Sequence, residues 1–321
     1  MMGRLLEKMS TLVAGTRGGA LALWQTRLVI DLLRDRAPGR PEIGQRIITT
    51  QGDENLSDWL VGQLEKGFFT QELEAALTDR SIQLAVHSLK DLPTRMSAGL
   101  CLGAVLERAS PHDFLILRPE AVPPTQSGKT LPIAKGARIG SSSLRRASLL
   151  NRFAPDAEAV PLRGNVPTRV EKLRSGQYDG ILIAAAGVER LELPLADFAV
   201  FKLDPRAWNP APGQGAIGVQ CREDDAATRE LLRAIHDPDT AAATGIERDL
   251  LQLLEGSCST PFGCYVEGGR VWVGLQAHGR WRSAQWPLKE DKPDWERKLA
   301  ALSAPDFAET PNDLETIFTR L

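Results

Sequence analysis

The sequence predicts an α/β protein with two doubly wound domains followed by a small α+β domain at its C-terminal end. Three observations carry this. Apolar segments of strand length alternate with segments of helical period through the first half of the chain. The alternation restarts after a Pro-, Ser- and Thr-rich stretch at 119–136. Beyond Pro261 it gives way to short consecutive strands. The chain has 321 residues, too many for one core at roughly 100–200 residues per domain.

Leu12 to Thr16 reads as a short buried strand. From Ala20 to Arg36, Leu21, Trp24, Leu28 and Leu32 recur at helical spacing. Ile43 to Thr50 is rich in β-branched residues and reads as a strand. Phe69 to Arg80 reads as a helix with Leu73, Ala76 and Leu77 on one face, and Ile82 to Leu89 as a strand stopped by Asp91-Leu92-Pro93. This β-α-β-α-β order predicts a parallel sheet with helices on both faces. The second unit repeats it: strands at Asp113–Leu117 and Ala137–Ile139, a helix at Leu144–Phe153, a strand at Ala157–Leu162, a helix from Pro167 to Ser175 closed by Gly176, and a buried strand at Tyr178–Ala185. Ala207 to Cys221 is a Pro/Gly passage that turns into a strand returning to the first domain.

The last third has another pattern. Helices at Asp224–His236 and Pro238–Leu254 precede the turn Gly256-Ser257-Cys258-Ser259-Thr260-Pro261. Strands at Tyr265–Val266, Arg270–His278 and Trp281–Leu288 form an antiparallel meander, and a helix spans Lys292–Leu302.

Composition narrows the function classes. Apolar residues are 42% and charged residues 25%, an ordinary globular balance that excludes a disordered chain. The net charge of −2 argues against global electrostatic binding to nucleic acid or membrane. The N-terminus lacks the apolar core of a signal peptide, and no run of ~18 apolar residues occurs, so a cytoplasmic location is expected. Four scattered cysteines read as free thiols, and four widely spaced histidines assemble no metal-ligand set.

Against that neutral background, the segment from Arg138 to Arg174 holds eight basic and three acidic residues, leaving −7 on the rest of the chain. Arg145 and Arg146 follow Gly140-Ser141-Ser142-Ser143, where a strand gives way to a helix; Arg163 ends a strand and Arg169 opens the next helix. Such junctions lie where open α/β sheets bind ligands, and arginine pairs with carboxylates bidentately. A cleft for a polyanion and a set of solvated arginines are both open readings. Lys90-Asp91, at the end of the strand Leu84–Leu89, reads either as an anion-binding and proton-handling pair or as a polar turn before Pro93. His87 reads as a structural strand residue. Cys258 reads as a nucleophile or attachment point, or as a free loop cysteine.

Taken together, the segments resemble the hydroxymethylbilane synthase (porphobilinogen deaminase) family of tetrapyrrole biosynthesis. The matching stretches are Gly15-Thr16-Arg17 with Leu21-Ala22-Leu23-Trp24, Gly52-Asp53, Lys66-Gly67-Phe68-Phe69-Thr70-Gln71-Glu72-Leu73-Glu74, and Ala85-Val86-His87-Ser88-Leu89-Lys90-Asp91-Leu92-Pro93. They continue with Gly140-Ser141-Ser142-Ser143-Leu144-Arg145-Arg146, Leu162-Arg163-Gly164-Asn165-Val166-Pro167-Thr168-Arg169, Pro212-Gly213-Gln214-Gly215-Ala216 and Glu255-Gly256-Ser257-Cys258. The last fifty or so residues match only in general character.

The resemblance implies two periplasmic-binding-protein-like α/β domains, at 10–108 with 214–235 and at 109–213, and a cofactor-bearing third domain at 236–321. It implies a monomeric transferase in which a dipyrromethane cofactor is thioether-linked to Cys258. Four porphobilinogens add head to tail, each losing ammonia through an azafulvene. Hydrolysis then releases hydroxymethylbilane, the substrate of uroporphyrinogen-III synthase. Asp91 is the implied catalytic residue. Arg17, Lys90, Arg145, Arg146, Arg163 and Arg169 are the implied carboxylate binders, with Lys66, Ser88, Ser142, Ser143, Gly164 and Asn165 supporting them. The stretch from Gly62 to Phe68 is expected to form a mobile lid. A chain of six rings carries about twelve carboxylates, two per ring, which accounts for an arginine-rich stretch in a neutral chain.

Four positions depart from the family pattern. Gly19 stands where a serine is common, Gln51 where a basic residue precedes Gly-Asp, Gly62 for the first of two lysines, and Leu253 for an arginine. Each change removes a hydroxyl or cationic contact to the cofactor or chain. Two alternatives remain at this point: a non-catalytic two-lobed binder of a small polycarboxylate, and a degenerate, inactive homologue.

Overall fold

The computed structural model describes residues 12–49, 70–124, 130–254, 261–288, 292–307 and 316–321. Lys66 and Cys258, the lid expected at 62–68, and the departures at Gln51 and Gly62 lie outside the described residues.

In chain order the first elements are β1 (Leu12–Thr16), α1 (Ala20–Arg36), β2 (Ile43–Ile47), α2 (Gln71–Thr78), β3 (Leu84–Ser88) and β4 (Leu100–Val105). Next come β5 (Asp113–Leu117), β6 (Arg138–Gly140), α3 (Leu144–Phe153), β7 (Glu158–Val160), α4 (Val166–Arg174), β8 (Gly180–Ala184), α5 (Ala185–Arg190) and β9 (Ala199–Leu203). The chain ends with β10 (Ile217–Arg222), α6 (Ala226–Arg233), α7 (Pro238–Leu254), β11 (Phe262–Glu267), β12 (Arg270–Ala277), β13 (Arg280–Pro287), α8 (Lys292–Ser303) and β14 (Phe318–Arg320).

The chain divides into two compact units, Met1–Ala109 with Gly215–Ala242 and Ser110–Gln214 with Ala243–Leu321. The first holds a five-stranded sheet of order β2-β1-β3-β10-β4. Its helices cover both faces because successive strand residues point opposite ways. Leu84 and Val86 of β3 pack with Val29, Ile30 and Leu33 of α1, whereas Ala85 packs with Leu73 and Leu77 of α2. As expected from the Pro/Gly passage, β10 joins this first sheet.

The second unit holds a six-stranded sheet of order β14-β9-β5-β8-β6-β7. Leu115, Leu117 and Leu182 pack with Leu149 and Leu150 of α3 on one face. Ile116, Ile181 and Ile183 pack with Val170 and Leu173 of α4 on the other. The two sheets share one winding. An opening strand (β1 or β6) lies between the next two strands of its unit, then comes a reversed strand (β10 or β5), then a last strand (β4 or β9). Both lobes are doubly wound, but their sheets are mixed, not wholly parallel: β10 is antiparallel to β3 and β4, and β5 to β8 and β9. All residues of β10 and β5 are buried, and a strand buried on both faces reads as an apolar run whichever way it points.

The second unit also contains the antiparallel meander β11-β12-β13. Its own apolar cluster includes Leu250 of α7, Val271, Val273 and Leu275 of β12, and Trp295 and Leu299 of α8. Leu253 packs against this cluster, so the position that departs from the family's arginine serves as an apolar contact. β14 pairs with β9, so the chain's end returns to the six-stranded sheet. Among the described residues, no helix is long and apolar enough to cross a membrane.

Candidate functional site

In each lobe some of the expected site residues follow a strand that flanks the switch point, where winding reverses direction: Arg17, Lys90 and Asp91 in the first, and Ser142, Ser143, Arg145 and Arg146 in the second, whereas Arg163, Gly164, Asn165 and Arg169 follow β7, one strand away. In the first unit the switch lies between β1 and β3, which run parallel with Ala14 opposite Leu84 and Gly15 opposite Ala85. A Cβ on Gly15 would stand 2.4 Å from Ile82 Cδ1, so only glycine fits there without a shift. β1 leads into half-buried Arg17, and the buried Thr16 hydroxyl fastens that turn by donating to the Ala22 carbonyl at 3.2 Å.

β3 ends in a 3₁₀ turn over Leu89–Asp91. The Leu89 N–H donates to the Ala216 carbonyl of the strand beside it at 3.0 Å. Leu89 is fully buried, Lys90 half-buried and Asp91 exposed. The turn therefore anchors itself through Leu89 and leaves Asp91 exposed at the end of the strand paired with β1, which leads into Arg17. Ser88 exchanges hydrogen bonds with the Gln25 side chain of α1 at 3.0–3.2 Å, which joins that helix to the turn. His87 is a buried ring. Burial, helped by the charge of Arg17 and opposed by Gln220, pulls its pKa down to about 4, so it is neutral near pH 7. That fits its reading as a structural residue.

In the second unit the switch lies between β6 and β8. β6 leads through Ser141-Ser142-Ser143 into α3. The Ser142 hydroxyl donates to the Leu162 carbonyl at 2.5 Å, and the Ser143 hydroxyl caps the helix by accepting from the Arg146 N–H at 3.4 Å. The first turn of α3 carries no acid, and its two arginines oppose the helix dipole.

Asp113, the first residue of β5, compensates them. Its side chain is fully buried, and Arg145 and Arg146 are 6% exposed each. Oδ2 accepts from Arg145 Nη2 at 2.9 Å and from Trp208 Nε1 at 2.9 Å. Oδ1 accepts from Arg146 Nη2 at 2.7 Å and from Gln214 Nε2 at 2.9 Å. Arg145 also donates to the Asn209 carbonyl at 2.8 Å. Burial alone would raise the Asp113 pKa. The charges of Arg146 and Arg145, with their hydrogen bonds, outweigh it and hold the carboxyl far below the usual range. Burial lowers the Arg145 pKa, opposed by Asp113.

Two guanidiniums share one carboxylate, so the cluster keeps a net positive charge. Within it, Arg146 Nε is buried with no hydrogen-bond partner among the described residues, and the same is true of Arg163 Nε. Two buried, undischarged donors suit an acidic ligand, since an unmet buried donor costs about 1–3 kcal/mol. Nearby, Arg169 Nε donates to the Gly164 carbonyl at 2.7 Å and Lys172 Nζ to the Arg163 carbonyl at 3.1 Å. Gly164 has φ +116°, a conformation that favours glycine. Asn165 Oδ1 caps α4, accepting from the Thr168 N–H at 2.9 Å.

The six basic residues singled out in sequence therefore fall into two kinds. Arg145 and Arg146 are locked to an internal carboxylate, whereas Arg17, Lys90, Arg163 and Arg169 are half-buried. Sequence reasoning missed Asp113, Trp208 and Asn209 as members of the cluster. Gln214 stood in a matched motif, but nothing in its spacing tied it to Asp113.

Residues 12–230 match a family described as "Porphobilinogen deaminase, dipyromethane cofactor binding domain". Relatives named porphobilinogen deaminase include one from Desulforamulus reducens, 44% identical over 261 residues that cover 80% of each chain. Another, from Syntrophobacter fumaroxidans, is 43% identical over 268 residues covering 82% of this chain and 83% of that one. A third, from Fusobacterium nucleatum, is 40% identical over 265 residues, 81% of this chain and 85% of that one. Among solved structures, the periplasmic VFT2 domain of Bordetella pertussis BvgS matches loosely, with a TM-score of 0.41 and 14% identity over 72% of this chain and 90% of that one.

Proposed function

The chain belongs to the porphobilinogen deaminase family, and from that premise we propose that it is a hydroxymethylbilane synthase, an enzyme of tetrapyrrole synthesis. As a transferase it condenses four porphobilinogens with loss of four ammonias and releases linear hydroxymethylbilane by hydrolysis. A dipyrromethane held by Cys258 supplies, when bound, the free pyrrole position at which condensation begins.

The observation that carries this reading is the positive cluster of Asp113, Arg145 and Arg146 with the undischarged Nε donor of Arg146, together with the undischarged Nε donor of Arg163 in the same unit. Porphobilinogen bears an acetate and a propionate. In the second unit these donors, with Arg169, and in the first unit Arg17 and Lys90, are each suited to bind such carboxylates. Asp91, exposed at the end of β3, is the group we assign to the reacting ring. Its carboxylate stabilises the positive charge that develops on the pyrrole nitrogen as ammonia departs, and it accepts the proton lost on coupling. Stabilisation of this kind is worth about 10²–10³ in rate.

The finer parts of the proposal rest on the family's pattern. Ser88, Ser142, Ser143, Gly164 and Asn165 hold the turns that carry the binding groups, and Lys66 is assigned a supporting role with them. Residues 236–321 act as a third, cofactor-bearing domain, supported by the separate apolar cluster of the meander and α8. The enzyme acts in the cytoplasm as a monomer, and uroporphyrinogen-III synthase consumes its product.

Intact-mass measurement and incubation with porphobilinogen test the proposal together. The purified chain should exceed its sequence mass by two pyrrole units, colour with Ehrlich's reagent and release ammonia from porphobilinogen; Cys258→Ser should show the bare mass and little turnover. Undamaged protein of bare mass that leaves porphobilinogen untouched would favour the two-lobed binder or the inactive homologue instead.

A further inference from the structure

Glu247 lies on α7 in the second unit, and its side chain is 0% exposed. A carboxylate is seldom buried so completely unless its oxygens are engaged, and here both accept backbone N–H groups. Oε2 accepts from Gly213 at 2.7 Å and Oε1 from Val266 at 3.1 Å.

The chain positions of these partners are informative. Residues 255–260, which include Cys258, follow the end of α7 and precede β11. Glu247 stands on the element before that segment and Val266 on the strand after it, so one side chain ties its two flanks together. The other oxygen holds Gly213, whose neighbour Gln214 donates to Asp113 Oδ1 at 2.9 Å and to the Pro111 carbonyl at 2.8 Å. Asp113 in turn holds Arg145 and Arg146. A second link runs beside the first: the Cys264 N–H donates to the Pro210 carbonyl at 2.9 Å, next to Asn209, whose carbonyl accepts from Arg145. The N–H groups of Cys264 and Val266 both leave the outer edge of β11, away from its ladder with β12.

We propose that Glu247 is a positioning residue: it sets the flanks of the Cys258 segment against the loop that orients the Asp113–arginine cluster. The inference rests on the synthase reading. A buried carboxylate is suited to the role because it accepts from two different segments at once, and a displacement of about 1 Å at a reacting centre can cost 10²-fold in rate.

The test uses the full chain. Glu247→Gln keeps the volume and one acceptor oxygen, but turns an amide NH₂ toward a backbone N–H. We expect Glu247→Gln to fold, to keep the two-pyrrole mass excess and to bind porphobilinogen with an unchanged KM. We expect kcat to fall about tenfold or more, and amide exchange at Gly213 and Val266 to quicken. Should that variant fail to fold, Val266→Pro deletes the second N–H on a sheet edge, where proline is tolerated, and should give the same split between kcat and KM. Turnover within twofold of the parent in a folded, loaded Glu247→Gln protein overturns the role. So does a loss confined to KM or to cofactor loading in either variant. A parent chain that carries no pyrrole units and ignores porphobilinogen refutes the synthase reading instead, so the two failures are distinguishable.

Discussion

Replacing Asp113 by asparagine tests the physical core of the site. The amide keeps the carboxylate's shape and one oxygen. Whichever way it turns, its NH₂ faces two donors: Arg145 and Trp208 on one side, Arg146 and Gln214 on the other. Two of four hydrogen bonds are lost, at least one of them charge-assisted, and two guanidiniums at 6% exposure are left without a neutralising charge. Charge-assisted bonds contribute about 1.5–3 kcal/mol each, and removing one partner of a buried ion pair costs about 3–5 kcal/mol. Both routes give a loss of roughly 3–5 kcal/mol for the second unit, a large share of a typical 5–15 kcal/mol. At about 2–4 °C per kcal/mol, the unit's Tm should fall by roughly 6–20 °C. Calorimetry of the full chain reads this as a shift confined to one transition. The folded pKa of Asp113 lies below its unfolded value, so its stabilisation is complete above the ordinary carboxylate range and is lost only as pH falls through the lower folded value. The deficit should therefore be the same at pH 5 and pH 8. Asp113→Ala should recover part of its loss in added formate, a carboxylate small enough for the space left. An Asp113→Asn chain that unfolds within about 1 kcal/mol of the parent would refute the reasoning.

Asp91→Asn should leave melting unchanged, because the side chain is exposed, and lower kcat by about 10²–10³; near-normal kcat for porphobilinogen consumption would remove Asp91 from the mechanism. Gly19→Ser should raise stability by a few tenths to about 1 kcal/mol. Gly19 is the N-cap of α1 at φ −70° and ψ 144° with no side-chain bond, and nothing lies within 4 Å of an added Cβ; a fall in the urea midpoint would contradict this. Burial lowers the pKa of His87 and His112 to about 4, below the unfolded value near 6.5, so the unfolded chain binds protons first. Both units should lose stability as pH drops from about 6.5 to 4, and His87→Gln should flatten that slope in the first unit alone; equal slopes in parent and variant would exclude His87 as its source.

Much of the fold was legible because strands and helices announce themselves locally. The helix at Ala20–Arg36, the meander, read from Tyr265 and observed from Phe262, and the return of β10 were all readable from period, length and Pro/Gly punctuation. Other elements were not. β4 is an apolar run broken by Gly103, where a Cβ would meet Leu232 at 2.5 Å and Cys221 at 2.7 Å. That glycine looks like a turn signal until its neighbours are known. α5 was hidden for a related reason: it continues the strand β8 without a break in apolar character. Site residues followed the same rule. Arg17, Asp91, Arg145, Arg146 and Arg163 stood in contiguous motifs at element junctions, so their types and places could be read.

By itself the sequence determined the alternation of elements, the two doubly wound lobes, the family and the set of basic side chains near its sheet ends. The tertiary structure decided that Arg145 and Arg146 share the one carboxylate of Asp113, more than thirty positions away in the chain, and that β5 and β10 run against their neighbours. It also decided that Glu247 joins a loop 34 residues before it to a strand 19 residues after it. Propensity and periodicity act over a few residues, within reach of one turn of helix or one strand. A buried carboxylate finds its donors by packing across the core, and the number of residues between two groups does not fix the distance between them once the chain has closed its loops.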